Sequence, residues 1–208
     1  MAAVVPPCGL AALMGKPITA GLRIGLLGGS FNPAHEGHLH ISLEAMKCLR
    51  LDQVWWLVSP QNPLKPHTHM APFEKRLASA QAMAAHPGVR VTDIECKLGT
   101  TFTVDTVTAL TTLGPLVHFV LLMGADNFVQ LPAWREWERI MYTIPVAVLA
   151  RPGFTCAASL GKAAKRFEQD RIAAESARLL PLLDPPTWVF LPSPLHAASS
   201  TALRSKQP

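Results

Sequence analysis

The chain has 208 residues, of which 49% are hydrophobic and 16% charged, and it carries a formal net charge of +5. That composition excludes a disordered chain, and the length suits one domain able to bury roughly 70% of the surface its unfolded form exposes, with no disulfide or metal staple. The basic residues are scattered, with no Lys/Arg run and no aromatic arrangement of an RNA-binding sheet, so the excess charge fits polyanionic small substrates and no nucleic acid partner is expected.

Residues 1–20 are apolar but lack a basic start, and Pro6 and Pro7 interrupt them. A loose N-terminal extension is therefore expected rather than a signal peptide, with a single domain over 21–208. No apolar stretch is long enough to span a bilayer, and Cys8, Cys48, Cys96 and Cys156 lie far apart without a C-x-x-C pair. A cytoplasmic protein with reduced thiols and no metal site of its own is expected.

Leu22 to Leu27 is a short apolar run ending at Gly28-Gly29, the pattern of a buried strand. Gly37 to Leu49 has helical spacing, and Gln53 to Val58 predicts a second strand running into the Pro-rich loop 60–66. A helix is predicted from Pro72 to Ala85, since proline is well tolerated at an early helix position. Val89 to Ile94 predicts a third strand, Thr103 to Leu113 a helix, and Val117 to Met123 the most apolar strand. A short helix follows over Trp134 to Met141, a strand over Pro145 to Ala150, an amphipathic helix over residues 158–180 and a last strand over Trp188 to Leu191. Short apolar strands alternating with helices predict an α/β fold, a Rossmann-like open parallel sheet with helices on both faces. Ligands in such sheets bind outside the carboxyl ends of the strands, where the segments after Leu27, Val58, Met123, Ala150 and Leu191 all converge.

The most informative segment is Gly28-Gly29-Ser30-Phe31-Asn32-Pro33-Ala34-His35-Glu36-Gly37-His38. Two glycines at a strand end let backbone approach a ligand, and a helix starting near Gly37 offers amides and a positive dipole end to phosphate. His35 and His38, three residues apart, both reach that anion site, where imidazole donors stabilise charge that builds during reaction. Neither a G-x-G-x-x-G fingerprint nor a P-loop is present. A glycine turn followed by two surface histidines is the bland alternative.

Gly29-Ser30-Phe31-Asn32-Pro33 with His35-x-x-His38 resembles the H-x-G-H superfamily of nucleotidyltransferases, and Ser199-Ser200-Thr201-Ala202-Leu203-Arg204 resembles its second motif. Hydroxyls and amides at a Ser-Ser-Thr helix start, with a forked cation one turn later, suit ATP phosphates. Within that superfamily the chain is similar to the bacterial nicotinate-nucleotide adenylyltransferases over about residues 22–204. The similarity rests on Pro60–Lys65, Thr101–Thr106, Gly124–Asn127, Trp134–Trp137 and Arg151–Phe154. The resemblance implies a Rossmann-like fold, ATP and nicotinate mononucleotide as substrates, Mg²⁺ brought with ATP, and deamido-NAD and pyrophosphate as products.

Carried over residue by residue, the resemblance gives His35 and His38 the ATP phosphates, with His38 the main transition-state stabiliser. It gives Ser200, Thr201 and Arg204 the β- and γ-phosphates, and Asp126 the ribose hydroxyls. Thr103 and the backbone at Trp134-Arg135 meet the pyridine carboxylate while Trp134 stacks on the ring. Gly29, Ser30, Phe31, Asn32, Asn62, Lys65, Gly124 and Arg151 complete the substrate contacts. Simpler roles stand beside these: a Trp before a short helix is commonly a core or rim residue, and an Asp after Gly124 suits a helix cap. Asn32 departs from the family, where many members have Asp, and brings no charge. Another adenylyl- or cytidylyltransferase of the superfamily, such as one acting on phosphopantetheine, would share both terminal motifs, and a synthetase-like RNA-binding relic would share the first. The Thr101–Thr106 and Trp134–Trp137 segments argue against the former, and the absence of a K-M-S-K-S-like loop against the latter. A homo-oligomer is left open.

Overall fold

A computed structural model describes residues 9–15, 17–60 and 70–192. Helices α1 (Leu10–Met14) and α2 (Glu36–Leu49) flank strand β1 (Arg23–Gly29) in the chain. Then come β2 (Gln53–Val58), α3 (Phe73–Met83), β3 (Val89–Thr92), α4 (Ile94–Leu98) and α5 (Thr103–Leu113). After β4 (His118–Gly124) and α6 (Ala125–Gln130) lie α7 (Trp137–Thr143) and β5 (Val146–Leu149). The remainder is α8 (Thr155–Leu160), α9 (Lys162–Arg166), β6 (Arg171–Ile172) and β7 (Trp188–Leu191).

Among the described residues the seven strands form one sheet in the order β3-β2-β1-β4-β5-β7-β6, every pairing parallel. β1 and β4 lie side by side although two strands intervene in sequence, so the chain winds one way from β1 to β3 and the other way from β4 onward. The seam between them is the topological switch point, where crossovers leave in opposite directions and open a crevice. Strands buried on both faces need apolar side chains on both, which is why Val54–Val58 and Phe119–Met123 read as continuous apolar runs. One core layer packs Trp55, Val107, Phe128 and Trp188; the other packs Ile41, Trp56, Ala80 and Val189.

Two expected elements are corrected. The single helix over 158–180 does not form: Gly161 is extended (φ −69°, ψ 169°) between α8 and α9, and a 3₁₀ turn at Glu168–Asp170 leads into β6. Pairing Arg171-Ile172 with Trp188-Val189 overrides the helical spacing, and a nine-residue 3₁₀ segment, Ala174–Leu182, follows. The third strand stops at Thr92, whose hydroxyl accepts the Ile94 amide at 2.8 Å and turns the chain into α4. Within the stretch expected to be loose, Leu10 of α1 is buried against the core that holds Phe119. No helix among the described residues is long and apolar enough to cross a membrane.

Candidate active site

A cavity of about 590 Å³ opens at the carboxyl ends of β1 and β4. Its walls include Gly29, Ser30, Phe31, His35, His38, Thr103, Gly124, Asp126, Trp134, Arg135 and Arg151, eleven of the residues singled out from the sequence. Asn62, Lys65, Ser200, Thr201 and Arg204 lie outside the described residues. Asn32 does not line the cavity; its Oδ1 accepts the Ala71 amide at 3.2 Å.

On the β1 side, His35 caps α2. Its Nδ1 accepts the Gly37 amide at 3.1 Å, while the Nδ1 of His38 accepts the His35 amide at 3.3 Å. This reciprocal pair is a capping box made of imidazoles. It has two consequences. The Gly37 amide, expected from the sequence to face an anion, is taken up by the cap, and the His38 amide bonds the His35 carbonyl at 2.9 Å. Moreover, a neutral imidazole whose Nδ1 accepts a hydrogen bond carries its proton on Nε2, so both histidines are set as Nε2–H donors. The rings stand 3.9 Å apart, centroid to centroid. Phe31 lies 4.7 Å from His38 and stacks on Trp56 at 5.1 Å, and the Trp56 indole donates to Ser42 Oγ, which donates to the His38 carbonyl. His35 is 4% exposed and Phe31 1%, with His38 half-buried beside them, so the pair rests against packed core rather than on a free loop.

On the β4 side, Asp126 does not cap α6; the N-cap is Gly124 and makes no side-chain hydrogen bond. Asp126 Oδ1 instead sits 3.5 Å from Arg151 Nε, at the end of β5. Among the described residues both buried atoms lack a well-formed hydrogen bond, so the pair holds donor and acceptor capacity at the cavity wall. A Cβ at Gly124 would run into both side chains, which is why this strand end takes glycine.

At the far end, the first-turn amides of α5 at Thr103 and Val104 have no intrahelical acceptor, and among the described residues no side-chain hydrogen bond caps the helix. Trp134 is extended (φ −81°, ψ 150°) after a 3₁₀ turn, and its buried Nε1 has no hydrogen-bond partner among the described residues. The predicted helix start at Trp134 shifts to Trp137, because Glu136 adopts φ +48° and breaks the run. Arg135 lies over the Phe102 ring at 4.8 Å and 3.9 Å from Asp105 Oδ2.

Ser59 and Glu95 also line the cavity, and the sequence reading singled out neither. Ser59 follows β2, and Glu95 of α4 is 8% exposed. Burial pushes the Glu95 carboxyl up to about 7, against the Thr106 and Ser59 hydroxyls, which favour its ionised form. Thr106 donates to Glu95 Oε1 at 3.2 Å and lies 2.8 Å from the Thr100 hydroxyl. A lone Glu in Ile94-Glu95-Cys96-Lys97 reads as a solvated position; only a period-3.6 reading of 94–98 would have turned it inward.

Fold and site together define an α/β protein of the Rossmann-like, nucleotide-binding class. The chain belongs to the cytidylyltransferase-like family, whose pattern matches residues 26–206. It is 53% identical over 189 residues to a probable nicotinate-nucleotide adenylyltransferase of Parvibaculum lavamentivorans, covering 91% of this chain and 94% of that one. A protein of the same description from Ruegeria pomeroyi is 49% identical over 185 residues, covering 89% and 86%. Plasmodium falciparum nicotinic acid mononucleotide adenylyltransferase complexed with NaAD shares the fold, with a TM-score of 0.66 at 15% identity over 88% of this chain and 83% of that one.

Proposed function

We propose that this chain is an adenylyltransferase that joins nicotinate mononucleotide to the AMP part of ATP, giving deamido-NAD and pyrophosphate in NAD biosynthesis. The observation that carries the reading is the pair of imidazoles whose Nδ1 atoms are occupied by backbone amides, which sets Nε2 of each ring as an N–H donor at the switch-point cavity. The relatives at 53% and 49% identity bear the matching description.

The mononucleotide 5′-phosphate is ionised at neutral pH and attacks the α-phosphorus in line, so no general base is required. One P–O bond forms to the attacking phosphate oxygen; the bond from the α-phosphorus to the bridging oxygen breaks and its electrons leave on pyrophosphate. His38 and His35 donate to phosphate oxygens as charge shifts toward the leaving group, and catalysis is positioning plus electrostatic stabilisation. Ser200, Thr201 and Arg204 take the β- and γ-phosphates, Asp126 the ribose, and Lys65 a phosphate. The donors at the β1 end complement phosphate oxygens, and Mg²⁺ would arrive on ATP with most of its waters kept. When bound, Mg²⁺ neutralises charge on the departing pyrophosphate.

At the other end Trp134 covers the pyridine ring, and first-turn amides at Thr103 with the backbone at Arg135 take its carboxylate. Residues 21–208 act as one cytoplasmic nucleotidyltransferase domain. Mixing the protein with ATP and either nicotinate or nicotinamide mononucleotide, and following pyrophosphate, tests the reading. The amide meets donors with its own NH₂; two unpaired donors at about 1–3 kcal/mol each give a preference for the acid of roughly 10²- to 10⁴-fold in kcat/KM. Equal use of both, or use of phosphopantetheine instead, overturns it.

A further inference from the structure

Arg76 of α3 is 2% exposed, yet no salt bridge accounts for its charge among the described residues. Its guanidinium is spent on backbone: Nη1 donates to the carbonyls of Ser30 and Ser59, each at 2.7 Å, Nη2 to Pro60 at 2.9 Å and Nε to Ala71 at 3.0 Å. Ser30 follows β1, Ser59 and Pro60 follow β2, and Ser30 and Ser59 line the cavity. The Ser59 amide also donates to the Gly29 carbonyl at 3.0 Å. One buried fork thus ties two neighbouring strand ends and the chain entering α3 at the mouth of the site.

The bond to Ser30 has a directional consequence. In a trans peptide the carbonyl and the following N–H point in opposite directions, so a Ser30 carbonyl drawn back into α3 turns the Phe31 N–H the other way. Phe31 also holds φ +46°, a conformation that costs a non-glycine residue of order 1–3 kcal/mol unless its surroundings enforce it. Its ring is locked between Trp56 and His38, and its preceding carbonyl is locked by Arg76.

We propose that Arg76 is a positioning residue for phosphoryl transfer, which by gripping the Ser30, Ser59, Pro60 and Ala71 carbonyls presents the Phe31 N–H to the reacting phosphate and holds the β1 and β2 ends at one spacing. This rests on the transfer reaction given above. Lysine keeps the charge but is a point donor on a flexible stem and cannot span four carbonyls as a planar fork does.

Arg76→Lys is assayed for pyrophosphate release well below its melting midpoint, per folded molecule. The expected result is a kcat lower by about tenfold or more, the cost of a misaimed transition-state donor, with both KM values within about threefold of wild type. Hydrogen exchange on the same variant should quicken at residues 30–31 and 59 while β4 and β5 amides keep their protection. Wild-type kcat in Arg76→Lys, or a loss carried by KM alone, overturns the proposal. So does failure of both Arg76→Lys and Arg76→Gln to fold, which would reduce the residue to a brace of the fold. An inactive wild-type protein on ATP and nicotinate mononucleotide would instead refute the assigned reaction, while the exchange pattern still reports on the clamp.

Discussion

The two ends of the cavity are built differently. The proposed phosphate end is a packed stack: His35, His38, Phe31, Trp56 and Ser42 interlock through hydrogen bonds and ring contacts, with Arg76 behind them. The proposed pyridine end joins the first turn of α5 to a rim loop whose Arg135 side chain is 53% exposed and held by ion pairs of 3.6 and 3.9 Å, of a kind worth about 0–1 kcal/mol. In-line displacement tolerates little misplacement, because effective molarity collapses within about an ångström. Recognition of a flat ring needs a face and a few donors, and a loop can adjust to supply them. In the proposed reaction, chemistry therefore sits on the buried core and selectivity on the rim.

The sharpest way to break this contrast is His38→Ala, which removes a donor that needs no reorganisation. A fall in kcat of about 10²- to 10³-fold is expected, with both KM values little changed. Steady-state kinetics giving near-normal turnover would mean that the rigid end is not where the barrier is lowered.

Next in size is a stability effect at a buried acid of the cavity wall. Glu95 has its folded pKa raised from 4.5 to about 7, so the folded state binds the proton more tightly than the unfolded chain. Its contribution to stability is then fully present below pH 4.5 and is lost as pH rises through about 7, by about 3 kcal/mol in total. Glu95→Gln, which keeps an acceptor for Thr106 and never ionises, should gain that much on wild type between about pH 4.5 and pH 8. A urea-unfolding difference independent of pH would contradict a carboxyl ionising against its burial.

Smaller still is Trp134→Ala, expected to raise the KM for nicotinate mononucleotide about five- to tenfold, the value of one lost stacking face, while leaving that for ATP nearly unchanged. An equal rise in both would merge the two ends. The smallest effect belongs to Arg135→Ala: about a two- to threefold rise in the same KM, fading as salt is raised, since exposed charges are screened within about 10 Å at 0.1 M.

Much of this architecture was legible locally. Gln53–Val58, Thr103–Leu113 and Trp188–Leu191 fall on their predicted bounds, because buried parallel strands and an amphipathic helix write their environment directly into apolar spacing. His35 and His38 were legible for the same reason, since a three-residue spacing at a helix start determines that both reach one place. The missed features all draw their structure from remote partners. β6 exists only through pairing with β7, and the helix expected over 158–180 loses to that pairing. Glu95 is a pocket residue only because α4 buries it against Thr106 of α5.

The sequence by itself determined the alternation of strands and helices, the buried faces and the place of the segment proposed to meet phosphate, all of which depend on contacts within a few residues or on spacing alone. The tertiary structure alone decided the switch point between β1 and β4, the histidine tautomers and the employment of Arg76, whose carbonyl partners stand as far as 46 residues away. Backbone carbonyls are identical at every position of a chain, so no residue pattern marks which of them a buried guanidinium will find.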